Sequence, residues 1–202
     1  MIVEERMRTF INSLDPGEPA WLDEIRSSAL QDNVPIIRME MGSLLRFLLT
    51  LRRPSSILEV GTAVGYSALF MSEYMPENCH ITTIEKYEKR IPIAKQNFKT
   101  AGREDKITLL EGDAAEILAE LSQPFDFIFM DIMMPVMDGL EAARQIRTLN
   151  RKDTKEIPII AMTANAFQDD VRECIDAGMN AHIAKPIDIE KVKMTIFDIP
   201  HS

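Results

Sequence analysis

Glu59, Gly61, Gly65 and Ser67 fall within nine residues of one another, in the run Ile57-Leu-Glu-Val-Gly-Thr-Ala-Val-Gly-Tyr-Ser67. An apolar strand that enters a glycine-bearing turn and then a helix lets the backbone approach a ligand closely and offers it free N–H groups. Glu85 ends the next apolar run, 24 residues after Gly61, where an acid can accept both ribose hydroxyl hydrogens in a nucleoside-binding sheet. A third apolar run ends in Glu111-Gly-Asp113-Ala114, another acid beside a small-residue turn. Taken singly, Glu59 and Glu85 read equally well as solvated or helix-capping acids, and Ser67 as a local backbone partner. Taken with Gly61 and Asp113, they point to recognition of a nucleoside at three consecutive strand ends.

Positioning such groups requires a parallel sheet. From Ser56 onward, short apolar runs alternate with amphipathic segments, the pattern of strands covered on both faces. Strands are expected at residues 57–60, 80–84, 107–110, 125–130, 157–162 and 181–184. Before them, apolar residues at helical spacing predict helices over 3–14, 19–31 and 37–52, separated by Asp15-Pro-Gly and Asp32-Asn-Val-Pro35. A final helix over 188–199 would end at Pro200. No Gly/Ser/Pro-rich linker interrupts the chain, so one continuous α/β domain over residues 1–202 is expected, with a helical extension over 1–55.

At 202 residues and 46% hydrophobic content the chain can bury a substantial core. Its net charge of −9 argues against a nucleic-acid surface. Cys79 and Cys174 lack Cys or His companions at metal-ligand spacing and read as buried thiols. The charged N-terminal Met-Ile-Val-Glu-Glu-Arg lacks the apolar run of a signal peptide, and no apolar stretch is long enough to span a bilayer. A cytoplasmic protein with no membrane partner is expected; its oligomeric state stays open.

On these motifs, residues 1 to about 131 resemble the S-adenosylmethionine-dependent class I methyltransferases, specifically the bacterial catechol-type O-methyltransferases. The resemblance implies that Glu59, Gly61 and Gly65 shape the methionine pocket, with Ser67 helping to hold the ligand. It implies that Glu85 binds ribose and that Asp113 and Ala114 frame the adenine. Asp131, at the end of Phe127-Ile-Phe-Met-Asp131, would be shared between the ligand pocket and a divalent metal. The family's acid–amide metal pair is missing: no Asp-Asn ends the run Ile157 to Met162. A hard divalent cation needs several convergent oxygens, so metal-assisted methyl transfer is not expected.

From about residue 126 the chain resembles a response-regulator receiver domain, of the kind often attached to hybrid sensor kinases. The motifs are Asp131 with Met134-Pro135 and Asp138-Gly139, Ala161-Met-Thr163-Ala164, and His182-Ile-Ala-Lys185-Pro186. The resemblance implies that Asp131 is the phosphoacceptor, Thr163 the responding hydroxyl, Lys185 the cation that pairs with the phosphoryl group, and His182 a switch residue. Receivers hold Mg2+ with an acidic pair ending their first strand. Here the corresponding strand ends in Gly61-Thr62, so weak or absent phosphorylation of Asp131 is expected.

Both families are doubly wound parallel sheets. Sharing the strand that ends in Asp131 lets the methyltransferase order continue into the receiver's last strands, giving 3-2-1-4-5-6 with right-handed crossovers in a Rossmann/flavodoxin-like sheet. The leading expectation is an engineered chimera, methyltransferase-like over 1–125 and receiver-like over 126–202. It would retain an S-adenosylmethionine or S-adenosylhomocysteine pocket with little or no turnover. An active O-methyltransferase and a phosphoacceptor module are the competing readings.

Overall fold

The computed structural model describes residues 17–131, 139–149, 155, 157–162 and 168–183. The helices expected over 3–14 and 188–199, and the positions of Thr163 and Lys185, lie outside them.

Two helices come first, α1 (Ala20–Gln31) and α2 (Met39–Arg52). Arg53 closes α2 in the left-handed region, at φ 47°, immediately before Pro54, which cannot continue a helix. The alternating part follows as β1 (Ser56–Val60), α3 (Tyr66–Tyr74), β2 (His80–Glu85), α4 (Ile91–Thr100), β3 (Ile107–Glu111), α5 (Ala114–Glu120), β4 (Phe127–Asp131), α6 (Gly139–Thr148), β5 (Ile159–Met162), α7 (Gln168–Asp176) and β6 (Ala181–Ile183).

The six strands form one sheet in the order β3-β2-β1-β4-β5-β6, and every neighbouring pair is parallel. This is the order that the two resemblances imply together. Strands β1 to β5 carry apolar side chains on both faces, as a covered parallel sheet requires. Ile57, Phe127, Phe129, Ile160 and Met162 lie in one core cluster, with Leu45, Leu48, Leu69 and Phe98 from the helices. The alternate residues Leu58, Val60, Ile128, Met130, Ile159 and Ala161 lie in the other, with Leu118, Ile146 and Cys174. Both clusters therefore run across β4, and the methyltransferase-like and receiver-like strands share them.

Two strands start later than the sequence suggests. Phe125 and Asp126 were expected in β4, but the Asp126 carboxylate instead accepts from Ser55 N at 2.6 Å, Ser55 Oγ at 2.8 Å and Ser56 N at 3.0 Å. That side chain ties the approach to β4 onto the approach to β1. Ile157 and Pro158 were expected in β5. Pro158 has no N–H to give the ladder, and its carbonyl accepts from Ile128 N at 2.9 Å just ahead of the strand. At the other end, β2, β3 and β4 each run one residue beyond expectation, so Glu85, Glu111 and Asp131 are the last residues of their strands.

Candidate functional site at the strand tips

The turn after β1 folds back over β2. Gly61 N and Thr62 N both donate to the Ile84 carbonyl, at 3.1 and 3.2 Å, and Gly65 N donates to Thr62 O at 2.8 Å. Gly61, Ala63 and Gly65 have positive φ, at 102°, 50° and 84°. Gly65 is needed for space as well as conformation: a Cβ there would lie 2.4 Å from the Phe98 ring. Ala63 pays a local strain, since an L-residue in this region is less stable by roughly 1 kcal/mol or more. It is held there by its N–H, which donates to Glu85 Oε2 at 2.7 Å.

Beneath the turn lies Glu59, at 0% exposure. Ser67 donates to its Oε1, and Thr83, its partner in the β1–β2 register, donates to Oε2 at 2.6 Å. Thr62 Oγ1 is 2.6 Å from Thr83 Oγ1. Because the Thr83 proton points to Glu59, Thr62 is the donor of that pair, and the chain runs Thr62, Thr83, Glu59. Burial pushes the Glu59 carboxyl up to about 7, against the two hydroxyl donors, and the nearby Asp131 and Glu85 carboxyls push it further the same way. Glu59 thus shapes the turn from below, while Ser67, expected to hold ligand, orients Glu59.

At the tip of β2, Glu85 is fastened to backbone on both oxygens. Oε2 takes Ala63 N, and Oε1 takes Lys86 N at 3.0 Å and Tyr87 N at 2.8 Å. Its register partner is Glu111 on β3. Asp113 caps α5 by accepting Ala115 N at 2.9 Å on Oδ1, and its Oδ2 lies 2.8 Å from Lys86 Nζ. The Lys86 ammonium holds the Asp113 carboxyl below its ordinary range, opposed by partial burial and helped by the capping N–H. Ala114 opens α5 and is buried in the second core cluster.

Asp131 ends β4 beside β1, where the strand order reverses and α/β sheets place their ligands. It lies in register with Met162, and Met162 with Ile183. The strand residues one and two positions before Thr163 and Lys185 are therefore level with the phosphoacceptor position. His182 lies in β6 opposite Ala161.

Among the described residues, no group of three or more His, Cys, Asp or Glu side chains is placed to hold a metal ion. Glu59 lies at 0% exposure with a hydroxyl donor on each oxygen, so it offers no open oxygen to a divalent cation. The start of α3 has no side-chain cap and suits a carboxylate, while Glu85 and Asp131, the acids at the tips of β2 and β4, draw positive charge to the same end of the sheet. Sequence reasoning missed Thr62, Thr83 and Lys86. The Thr82-Thr83 pair inside an apolar run was the available signal for the first network, and nothing in the spacing distinguished Lys86 from a solvated lysine.

Six parallel strands wound by helices on both faces, with acids at adjacent C-terminal tips, define a doubly wound α/β protein. The O-methyltransferase family model matches residues 12–139 and the response regulator receiver domain model matches residues 92–197. The chain belongs to both families, joined on one sheet. Their shared stretch, 92–139, contains α4, β3, α5 and β4 and includes the expected junction at 125/126. A catechol O-methyltransferase of Niastella koreensis is 32% identical over 137 residues, 65% of this chain and 62% of that protein. Probable histidine kinase 2 of Oryza sativa subsp. indica is 46% identical over 69 residues, 34% of this chain. The chain spans only 7% of that kinase's length. A Podospora anserina methyltransferase solved with SAH bound is 31% identical, with a TM-score of 0.59 over 64% of this chain and 58% of that one. No helix among the described residues is long and apolar enough to cross a membrane.

Proposed function

We propose that this chain is a recombined, engineered scaffold whose methyltransferase-like half retains a pocket for S-adenosylmethionine or S-adenosylhomocysteine, with little or no methyl transfer. The observation that carries this reading is the placement of Glu85 and Asp113 at neighbouring strand tips beside the glycine turn, which is ordered by the buried Glu59 network. Similarity to a methyltransferase holding SAH supports it. Low turnover follows from what comes after Asp131: the chain changes to the receiver pattern, and β5 ends at Met162 with no acid–amide pair following. The acid–amide pair would help to position an acceptor oxygen, which contributes much of the rate in such a reaction, and the sequence has none at the end of that run.

The test is calorimetric titration of the purified protein with S-adenosylhomocysteine, repeated on Glu85→Ala and Glu85→Gln. Saturable one-to-one binding that Glu85→Ala abolishes is expected, with Glu85→Gln weakened but still folded. Absence of heat in the wild type would end the cofactor reading.

The receiver match favours a second reading, a phosphoacceptor module acting through Asp131, Thr163 and Lys185. Incubation with acetyl phosphate would test it, with Asp131→Asn as the control. We expect little or no uptake, because the tip of β1 supplies Gly61 and Thr62 where a magnesium-binding acidic pair is needed.

A further inference from the structure

We propose that Lys86 is a latch over the nucleoside crevice, whose ammonium, paired with Asp113, must yield for a nucleoside to bind. This rests on the reading that the crevice takes S-adenosylhomocysteine. Lys86 is the first residue past β2 and directly follows Glu85. Its backbone N–H is bound to Glu85 Oε1, and its side chain crosses to the loop after β3, where Nζ lies 2.8 Å from Asp113 Oδ2. One residue thus connects the two acids assigned to the ribose and the base. Asp113 Oδ1 is committed to capping α5 through Ala115 N, so Oδ2 is the oxygen left for an exocyclic amine, and Lys86 stands on it. The Lys86 side chain is 48% exposed, so it can swing into water without disturbing the core. Solvated ion pairs of this kind are weak and screened by salt, which suits a latch that a ligand can open.

The experiment is titration with S-adenosylhomocysteine at low and high sodium chloride, on the wild type and on Lys86→Met. Methionine keeps the length and apolar stem of the side chain but lacks the charge. The expected results are about two- to five-fold tighter binding by Lys86→Met at low salt, and wild-type affinity that rises toward the variant's as salt screens the pair. Affinity in Lys86→Met should be insensitive to salt. Equal affinities with equal salt dependence, or weaker binding by the variant, would overturn the latch while leaving the pocket intact. Failure of both proteins to bind would overturn the pocket and the latch together.

Discussion

The two sides of β4 are built from the same kind of strand but stabilise their tips differently. On the methyltransferase-like side, the acids are bound by neighbours on β2, the turns after β1 and β2, and the first turns of α3 and α5: Glu59 by Ser67 and Thr83, Glu85 by Ala63, Lys86 and Tyr87, Asp113 by Ala115 and Lys86. On the receiver-like side, the prominent polar contact among the described residues lies at the other end of the strands. Arg147 on α6 donates to Gly178 O at 2.7 Å, Ile157 O at 3.0 Å and Asn180 Oδ1 at 2.6 Å. Asn180 Oδ1 also takes Ile159 N, so Arg147 fixes where β5 and β6 begin. Among the described residues, the hydrogen-bond partners of Glu59, Glu85 and Asp113 all come from before β4. The second site needs an acidic pair on β1, a strand that came with the other family. On the proposed reading, a splice at β4 spares the first site and deprives the second.

The largest effect should come from the strand both sides share. Phe129 is fully buried, pairs in register with Glu59 on one side and Ile160 on the other, and stacks with Phe127. Phe129→Ala should cost about 3–5 kcal/mol. Loss of Trp21 fluorescence and loss of helical circular dichroism should shift together to lower denaturant. A Trp21 transition left unmoved would mean the two sides unfold independently.

Glu59 should give the next effect, and only on one side. Its carboxyl is raised to about 7 from the ordinary 4.5, so the folded state holds the proton more tightly than the unfolded state. The stability this contributes is complete below about pH 4.5 and is lost as pH rises through 7, an effect on the order of 3 kcal/mol. Glu59→Gln should flatten that decline in urea titrations between pH 5 and 8. An unchanged slope in the variant would assign the decline elsewhere.

Arg147→Ala should cost about 2–3 kcal/mol, because the Gly178 and Ile157 carbonyls lose the guanidinium donor and Asn180 Oδ1 keeps only Ile159 N. Hydrogen exchange should rise in α7 and β6 and stay unchanged in β1 to β3. Protection lost equally throughout the sheet would contradict the division drawn here. Smallest is Asp126→Ala, expected to cost about 1 kcal/mol in a denaturant midpoint, because Ser55 and Ser56 can turn to water.

Much of the fold was legible because buried parallel strands announce themselves as short apolar runs, and β4 reads as one in either family. The order followed from matching a shared strand. The strand starts, Phe127 and Ile159 in the structure, were expected two residues earlier because apolarity continues upstream at Phe125 and Ile157, next to the side-chain contacts of Asp126 and the missing N–H of Pro158. The acids Glu59, Glu85 and Asp113 were legible from spacing. Their partners were not, because pairing Glu59 with Thr83 depends on a register that no local pattern records, and the reach of Lys86 depends on two loops being neighbours. The Ser67 contact with Glu59 and the burial of Ala114 are likewise matters of packing that position along the chain does not record. Thr163 and Lys185 lie outside the described residues, so the receiver-like triad rests on Asp131 and the levels of the strand tips.

Nuclear magnetic resonance mapping of S-adenosylhomocysteine onto the isotope-labelled protein tests the central claim most directly. The account predicts saturable shifts at Gly61, Ala63, Gly65, Glu85 and Asp113, with Ile159 to Met162 and Cys174 to Asn180 unmoved. Shifts confined to β5 and β6, or no shifts at saturating ligand, would contradict it.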